Sequence, residues 1–227
     1  MEYQEQFEAI RPYHDDEIGA PVERLIAHPQ FESIINYLFG PAKKKALEKD
    51  LRSLESIEQF QSEFSFPALR NILERTADGL SSQGLENVDP KRASLFLANH
   101  RDIALDASIM QVILHEHGHQ ATQVTFGDNL MSSKLLIDLA RLNRVFPFFR
   151  GGSRMTQYRT AQVSSAYINQ MIGSEGESIW IAQQNGRAQD GNDQTHKGQI
   201  KMLAIGSKDL CATLSDLNII PVTISNE

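Results

Sequence analysis

The stretch Ser94-Leu95-Phe96-Leu97-Ala98-Asn99-His100-Arg101-Asp102-Ile103-Ala104-Leu105-Asp106 decides how the chain reads. Ser94–Ala98 is short and almost wholly apolar, as expected of a strand buried on both faces. Four polar residues follow, and from Ile103 a helical pattern runs to His117, closed by Gly118. A strand feeding a helix through a short polar turn is the unit from which parallel sheets are assembled. Downstream the alternation repeats. Strands are expected at Thr122–Phe126, Val145–Phe149, Ser178–Ala182 and Ile219–Ile224. Helices are expected at Ser133–Leu142, Met155–Ile172 and Ile200–Leu217, with Gly173 closing the second of these.

Upstream the pattern is helical only. Val22, Leu25 and Ile26, then Ile34, Ile35, Leu38 and Phe39, recur at three- and four-residue spacing. Pro21, Pro29, Pro41 and Pro67 punctuate this region, and Asn87-Val88-Asp89-Pro90-Lys91 breaks it. The expected fold is α/β: a mostly parallel sheet flanked by helices, with an N-terminal helical extension. The extension is placed at residues 1–85 and the α/β domain at residues 86–227. The chain stops three residues after its last expected strand, which fits a strand-terminated domain or a piece of a longer one.

Bulk composition narrows the function. Hydrophobic residues make up 41% and charged residues 22%, ordinary for a globular chain with a sizeable core. The net charge of −7 argues against a nucleic-acid partner, which needs a basic surface. A single cysteine, Cys211, fits a reducing compartment and is expected in the core of an apolar helix. The acidic N-terminus lacks the apolar segment of a signal peptide, and no apolar window reaches the ~18 residues that a membrane span requires. Membrane contact is therefore expected to be peripheral. Lys43-Lys44-Lys45 is either a solvated helix start or a contact for anionic headgroups.

In parallel sheets, sites gather at the carboxyl ends of the strands. Three segments fall there: Asn99–Asp106, then Phe148-Phe149-Arg150-Gly151-Gly152, then Gln183-Gln184-Asn185-Gly186-Arg187. A histidine ahead of a helix, with carboxylates two and six residues on, can form a base and its orienting partner. An imidazole suits proton removal at neutral pH, and attack of a hydroxyl on a carbonyl needs that step. Arg150 and Arg187 beside Gly151 and Gly186 suit an anion, since guanidinium pairs with phosphate and glycine lets backbone N–H groups approach. Convergence of a base with two arginines points to a substrate carrying phosphate.

Two other motifs lead elsewhere. His115-Glu116-His117-Gly118-His119 fits the zinc-protease spacing, but that chemistry needs both histidines on one continuing helix, and Gly118 falls inside the motif. Ser108 and Ser153 could serve a hydrolase, yet no Gly-x-Ser-x-Gly elbow occurs in the sequence.

Taken in order, these blocks resemble the glycerolphosphate and lysophosphatidate acyltransferase superfamily. The resemblance covers roughly residues 85–224. It rests on Asn99-His100 with a downstream aspartate, on the apolar strand leading to Arg150, on Gly186-Arg187, and on Pro221 in the last strand. The resemblance implies that His100 is the catalytic base. Its orienting partner is Asp106, or else Asp102, because Leu105 stands where the family places the aspartate. Asn99, Arg101, Arg150, Gly151, Asn185, Gly186 and Arg187 are then expected to contact substrate. Asn185 stands where the family has glutamate, which leaves the acceptor open between a hydroxyl and an amine; the altered blocks also fit a lipid-binding relative that does not catalyse. The resemblance further implies direct transfer from acyl-CoA or acyl carrier protein, with no metal and no cofactor. The expected partners are that donor, a small phosphate-bearing acceptor and the membrane surface. The expected location is cytoplasmic, peripheral on the inner face of the cell membrane.

Overall fold

The computed structural model describes residues 3–41, 43–149, 151–184, 186–187 and 194–225. They divide into two compact units. The first comprises Met1–Ile10, Gly84–Asp128 and Phe146–Glu227; the second comprises Arg11–Gln83 and Asn129–Val145.

The sheet has strands β1 (Leu95–Ala98), β2 (Gln123–Gly127), β3 (Val145–Phe148), β4 (Ile179–Ala182) and β5 (Ile219–Val222), in the order β3-β2-β4-β1-β5. It is a parallel sheet flanked by helices, as the alternating pattern predicts. Central strand β1 pairs with β4 on one side, Leu95 facing Ile179 and Ala98 facing Ala182. On its other side Leu95 faces Ile219 and Ala98 faces Val222. Strands so enclosed need apolar residues on both faces, which explains the runs Leu-Phe-Leu-Ala and Ile-Trp-Ile-Ala.

In chain order the helices are α1 (Gln4–Ile10), α2 (Gly19–Ile26), α3 (Phe31–Phe39), α4 (Lys44–Arg52), α5 (Ile57–Gln59), α6 (Phe66–Thr76), α7 (Leu105–Glu116), α8 (Lys134–Leu142), α9 (Arg154–Gln170), α10 (Lys197–Leu203) and α11 (Leu210–Asp216). In the first unit, Leu95, Ile179 and Ile181 of the sheet pack with Tyr167 and Ile168 of α9, Leu203 of α10 and Phe7 and Ile10 of α1. Each such side chain contributes roughly 1.5–3 kcal/mol when fully buried. Two buried polar side chains in this core are paired: the Tyr167 hydroxyl donates to Gln123 Oε1 at 2.7 Å, and Ser165 Oγ donates to the Leu203 carbonyl at 3.0 Å. Ser153 caps α9, its hydroxyl accepting from the Thr156 N–H at 3.2 Å.

The second unit is helical. Val22 and Leu25 of α2, Phe31 and Ile35 of α3, Leu51 of α4 and Phe60 and Phe64 bury against Leu142 of α8. A π turn, Phe60–Ser65, joins α5 to α6 and sets both aromatic rings inward. Asp138 on α8 is 1% exposed and accepts from Arg24 Nε at 2.7 Å, the Tyr13 hydroxyl at 2.6 Å and Lys134 Nζ at 3.1 Å.

Two expectations need correction. Residues 200–217 are not one helix: α10 ends at Leu203 and α11 starts at Leu210. Gly206 between them has φ +84, and Asp209 caps the new helix by accepting from the Ala212 N–H at 3.0 Å. Cys211 therefore lies in the first turn of α11 and is exposed, not in the core.

Candidate active site

β1 ends at Ala98, and the chain must turn through residues 99–104 before α7 begins at Leu105. Asp102 shapes that turn. Its Oδ1 accepts from the Ala104 N–H at 2.9 Å and from the Leu105 N–H at 2.8 Å, satisfying donors that the helix start leaves unpaired. Asp106, one position into α7, points back into the turn. Its Oδ2 lies 3.1 Å from His100 Nδ1 and accepts from the Arg101 N–H at 2.6 Å and the Asp102 N–H at 2.9 Å. Of the two aspartates, Asp106 meets the histidine and Asp102 builds the turn that lets it. The five residues between His100 and Asp106 are accommodated because the helix starts only at Leu105.

The environment fixes the protonation pattern. Asp106 is 1% exposed, and burial alone would raise its pKa. The bonds from His100 and from the Asp102 and Arg101 N–H groups outweigh that, and the carboxyl sits below its ordinary value. An ionised carboxylate only accepts, so the neutral imidazole of His100 takes the tautomer with the proton on Nδ1 and the lone pair on Nε2. The His100 side chain is partly exposed, at 15%. Its ring packs edge-on against Trp180 of β4, with centroids 6.1 Å apart and planes at 73°. Trp180 is 2% exposed, and its Nε1 finds no acceptor among the described residues.

The third segment is tied to the same place by the sheet. The Gln183 N–H, just after β4, donates to the Ala98 carbonyl at 2.7 Å. The loop that leaves there returns to the same residue: the His196 N–H donates to the Gln183 carbonyl at 2.9 Å, and Thr195 Oγ1 to Gln183 Oε1 at 3.2 Å. Gly186 and Arg187 are exposed on this loop, and Gly186 has φ +82. Its base is thus one residue from the histidine turn. Asn185 and Arg150 lie outside the described residues, as do residues 188–193. Gly151, after β3, is exposed. Strand order puts β3 three places from β1, roughly 15 Å across the sheet at the usual strand spacing.

Asn99 is 3% exposed and acts on backbone. Its amide donates to the Ile224 carbonyl at 2.9 Å and its Oδ1 accepts from the Ile224 N–H at 2.7 Å, clamping the chain after β5 beside the histidine turn. The Arg101 backbone joins the Asp106 network. Trp180, a neighbour of His100 that sequence reasoning did not assign to the site, and Gln183, which it placed in the third segment without a role and which is the joint between segments, are placed by strand register. No local spacing signals them.

The zinc-like motif is split by the fold. α7 ends at Glu116, Gly118 has φ +77, and His117 Nδ1 lies 2.8 Å from the Ile113 carbonyl. No cluster of three metal-ligating side chains occurs among the described residues.

A histidine held by a buried carboxylate stands at the carboxyl edge of a parallel sheet, with a glycine–arginine loop rooted beside it. The Acyltransferase family model matches residues 79–225, and the chain belongs to that family. No curated protein matches the chain.

Proposed function

We propose that the chain moves a fatty acyl group from acyl-CoA or acyl carrier protein to glycerol 3-phosphate or lysophosphatidate, in phospholipid synthesis. The observation that carries this reading is the His100–Asp106 pair, with Nδ1 bound to the carboxylate at 3.1 Å and Nε2 left as the base. His100 Nε2 takes the proton of the acceptor hydroxyl as its oxygen attacks the thioester carbonyl carbon. The carbon–sulfur bond breaks, and the imidazolium returns the proton to the departing thiolate. Ester and free thiol are the products, with no acyl-enzyme. The Asp106 carboxylate stabilises the imidazolium formed in between. Arg150, Gly151, Asn185, Gly186 and Arg187 would receive phosphate. Asn99 acts in this reading as a positioning residue, fixing the strand end from which His100 projects.

The reading places the enzyme at the membrane surface, on the cytoplasmic face; no helix among the described residues is long and apolar enough to cross a membrane. An amine acceptor is the second reading, favoured by Asn185 standing where the family has glutamate. Mass spectrometry of products tests both. Purified enzyme is given palmitoyl-CoA or palmitoyl acyl carrier protein, with glycerol 3-phosphate, lysophosphatidate and an amine acceptor in separate reactions. An acylated phosphate-bearing product supports the first reading, an amide the second. Free fatty acid alone would overturn both in favour of a hydrolase.

A further inference from the structure

The chain carries 29 Asp and Glu against 22 Lys and Arg, yet residues 139–174 hold five arginines and no carboxylate. Within that stretch the start of α9 stands out from the packed core. Every residue from Gly151 to Arg159 is exposed, although the same helix is buried at Ser164, Ser165, Tyr167 and Ile168. Its exposed part bears Met155 and Tyr158, 61% and 50% accessible and three residues apart on one face, between Arg154 and Arg159. Phe149, just ahead of it, is 43% exposed. Large apolar side chains this accessible lose contact with water only by meeting a partner. Neither Arg154 nor Arg159 has an ion pair among the described residues.

We propose that this end of α9 docks the enzyme on an anionic lipid bilayer, Met155, Tyr158 and Phe149 entering the headgroup boundary and Arg154 and Arg159 contacting lipid phosphates. Charge complementarity selects the partner: a basic, carboxylate-free tip on an acidic chain is repelled by surfaces like its own and attracted to anionic lipid. The apolar residues select a bilayer over a soluble anion, since a phosphate alone gives Met155 and Tyr158 nothing to bury against. The position is also suitable. The tip follows β3 and so lies at the carboxyl edge of the sheet, the edge that carries His100. The other basic run, at Lys43–Lys45, is a weaker candidate because Lys44 already pairs with Glu32 at 2.8 Å.

The inference deepens the lipid-linked reading of the site, but its test needs no turnover. The full chain is sedimented with vesicles of phosphatidylcholine alone and of phosphatidylcholine mixed with phosphatidylglycerol. Binding should require phosphatidylglycerol and weaken as salt rises. The double variant Arg154→Gln/Arg159→Gln should bind roughly 25-fold more weakly, at about fivefold per arginine. Met155→Ser/Tyr158→Ser should also reduce binding, and both variants should keep the parent's melting temperature because the sites are exposed. Turnover of water-soluble, short-chain substrates should be unchanged in both. Equal binding to the two vesicle types, or variants that bind like the parent, would overturn the proposal. So would release from vesicles by free CoA or by an acidic acyl carrier protein, since the arginines would then be a donor site.

Discussion

Replacing Asp106 by Asn removes one charge and almost no volume from the centre of the site. The amide oxygen can still accept from the Arg101 and Asp102 N–H groups, now 2.6 and 2.9 Å from Oδ2, so the turn and the start of α7 should persist. What is lost is the attraction between the carboxylate and the imidazolium that forms as His100 takes the acceptor's proton. At the observed 3.1 Å and an effective dielectric of about 20, that attraction is worth about 5 kcal/mol. A loss of about 3–5 kcal/mol corresponds to a fall of ~10²- to 10⁴-fold in kcat. The assay is thiol release from palmitoyl-CoA in the presence of acceptor, with circular dichroism to verify the fold. Asp102→Asn is the control, because its side-chain oxygen can still accept from Ala104 and Leu105 and it does not touch His100. Its kcat should stay within a few-fold of the parent's. A folded Asp106→Asn enzyme as active as the Asp102→Asn control would refute the assignment of Asp106 as the orienting partner.

Other consequences follow from the same contacts. For Asp138, burial raises the pKa, but the bonds from Arg24, Tyr13 and Lys134 pull it down to about 2. Because the folded pKa is depressed, the stabilisation of about 2–3 kcal/mol is complete above pH ~5 and disappears as pH falls towards 2. Thermal melts from pH 6 to pH 2 should show that decline, and Asp138→Asn should flatten it. Gly152 has φ +93, and a Cβ there would sit 2.9 Å from Thr156 Cγ2. Gly152→Ala should cost about 1–3 kcal/mol and lower the melting temperature by several degrees, whereas Gly186→Ala, with no such clash, should cost less. Trp180→Phe removes a buried N–H that has no acceptor among the described residues, so the melting temperature should change little, while loss of the ring edge beside His100 should lower kcat more than it alters KM. A Trp180→Phe enzyme with unchanged kcat would show that His100 is held by Asp106 alone.

The alternation of short apolar runs with helical spacing carried the fold, because strands buried on both faces leave no other pattern. All five strands of the sheet were legible for that reason. The break between α10 and α11 was not: Gly206 and Asp209 signal a stop and a start only once the backbone is seen to turn, and the apolar spacing alone runs through. Nor could spacing show that α8 packs with α2 in the helical unit, since an amphipathic face does not name its partner. His100 and Asp106 were legible as a pair by type and distance along the chain. Which aspartate meets the ring was left open, because the answer depends on where α7 starts, and the Asp102 turn decides that. Asn99 read as a substrate contact by its place in the block. The structure turns it towards the Ile224 backbone, a contact 125 residues away in sequence that no local pattern encodes.

The central claim is that His100 Nε2 is the general base of an acyl transfer. The most direct measurement is acceptor-dependent thiol release by the parent enzyme and by His100→Ala, each shown to be folded, with palmitoyl-CoA and a saturating phosphate-bearing acceptor. The account predicts release in the parent that needs the acceptor, and a fall of at least about 10²-fold in the variant with the KM for the donor little changed. Release by His100→Ala at the parent's rate would contradict it.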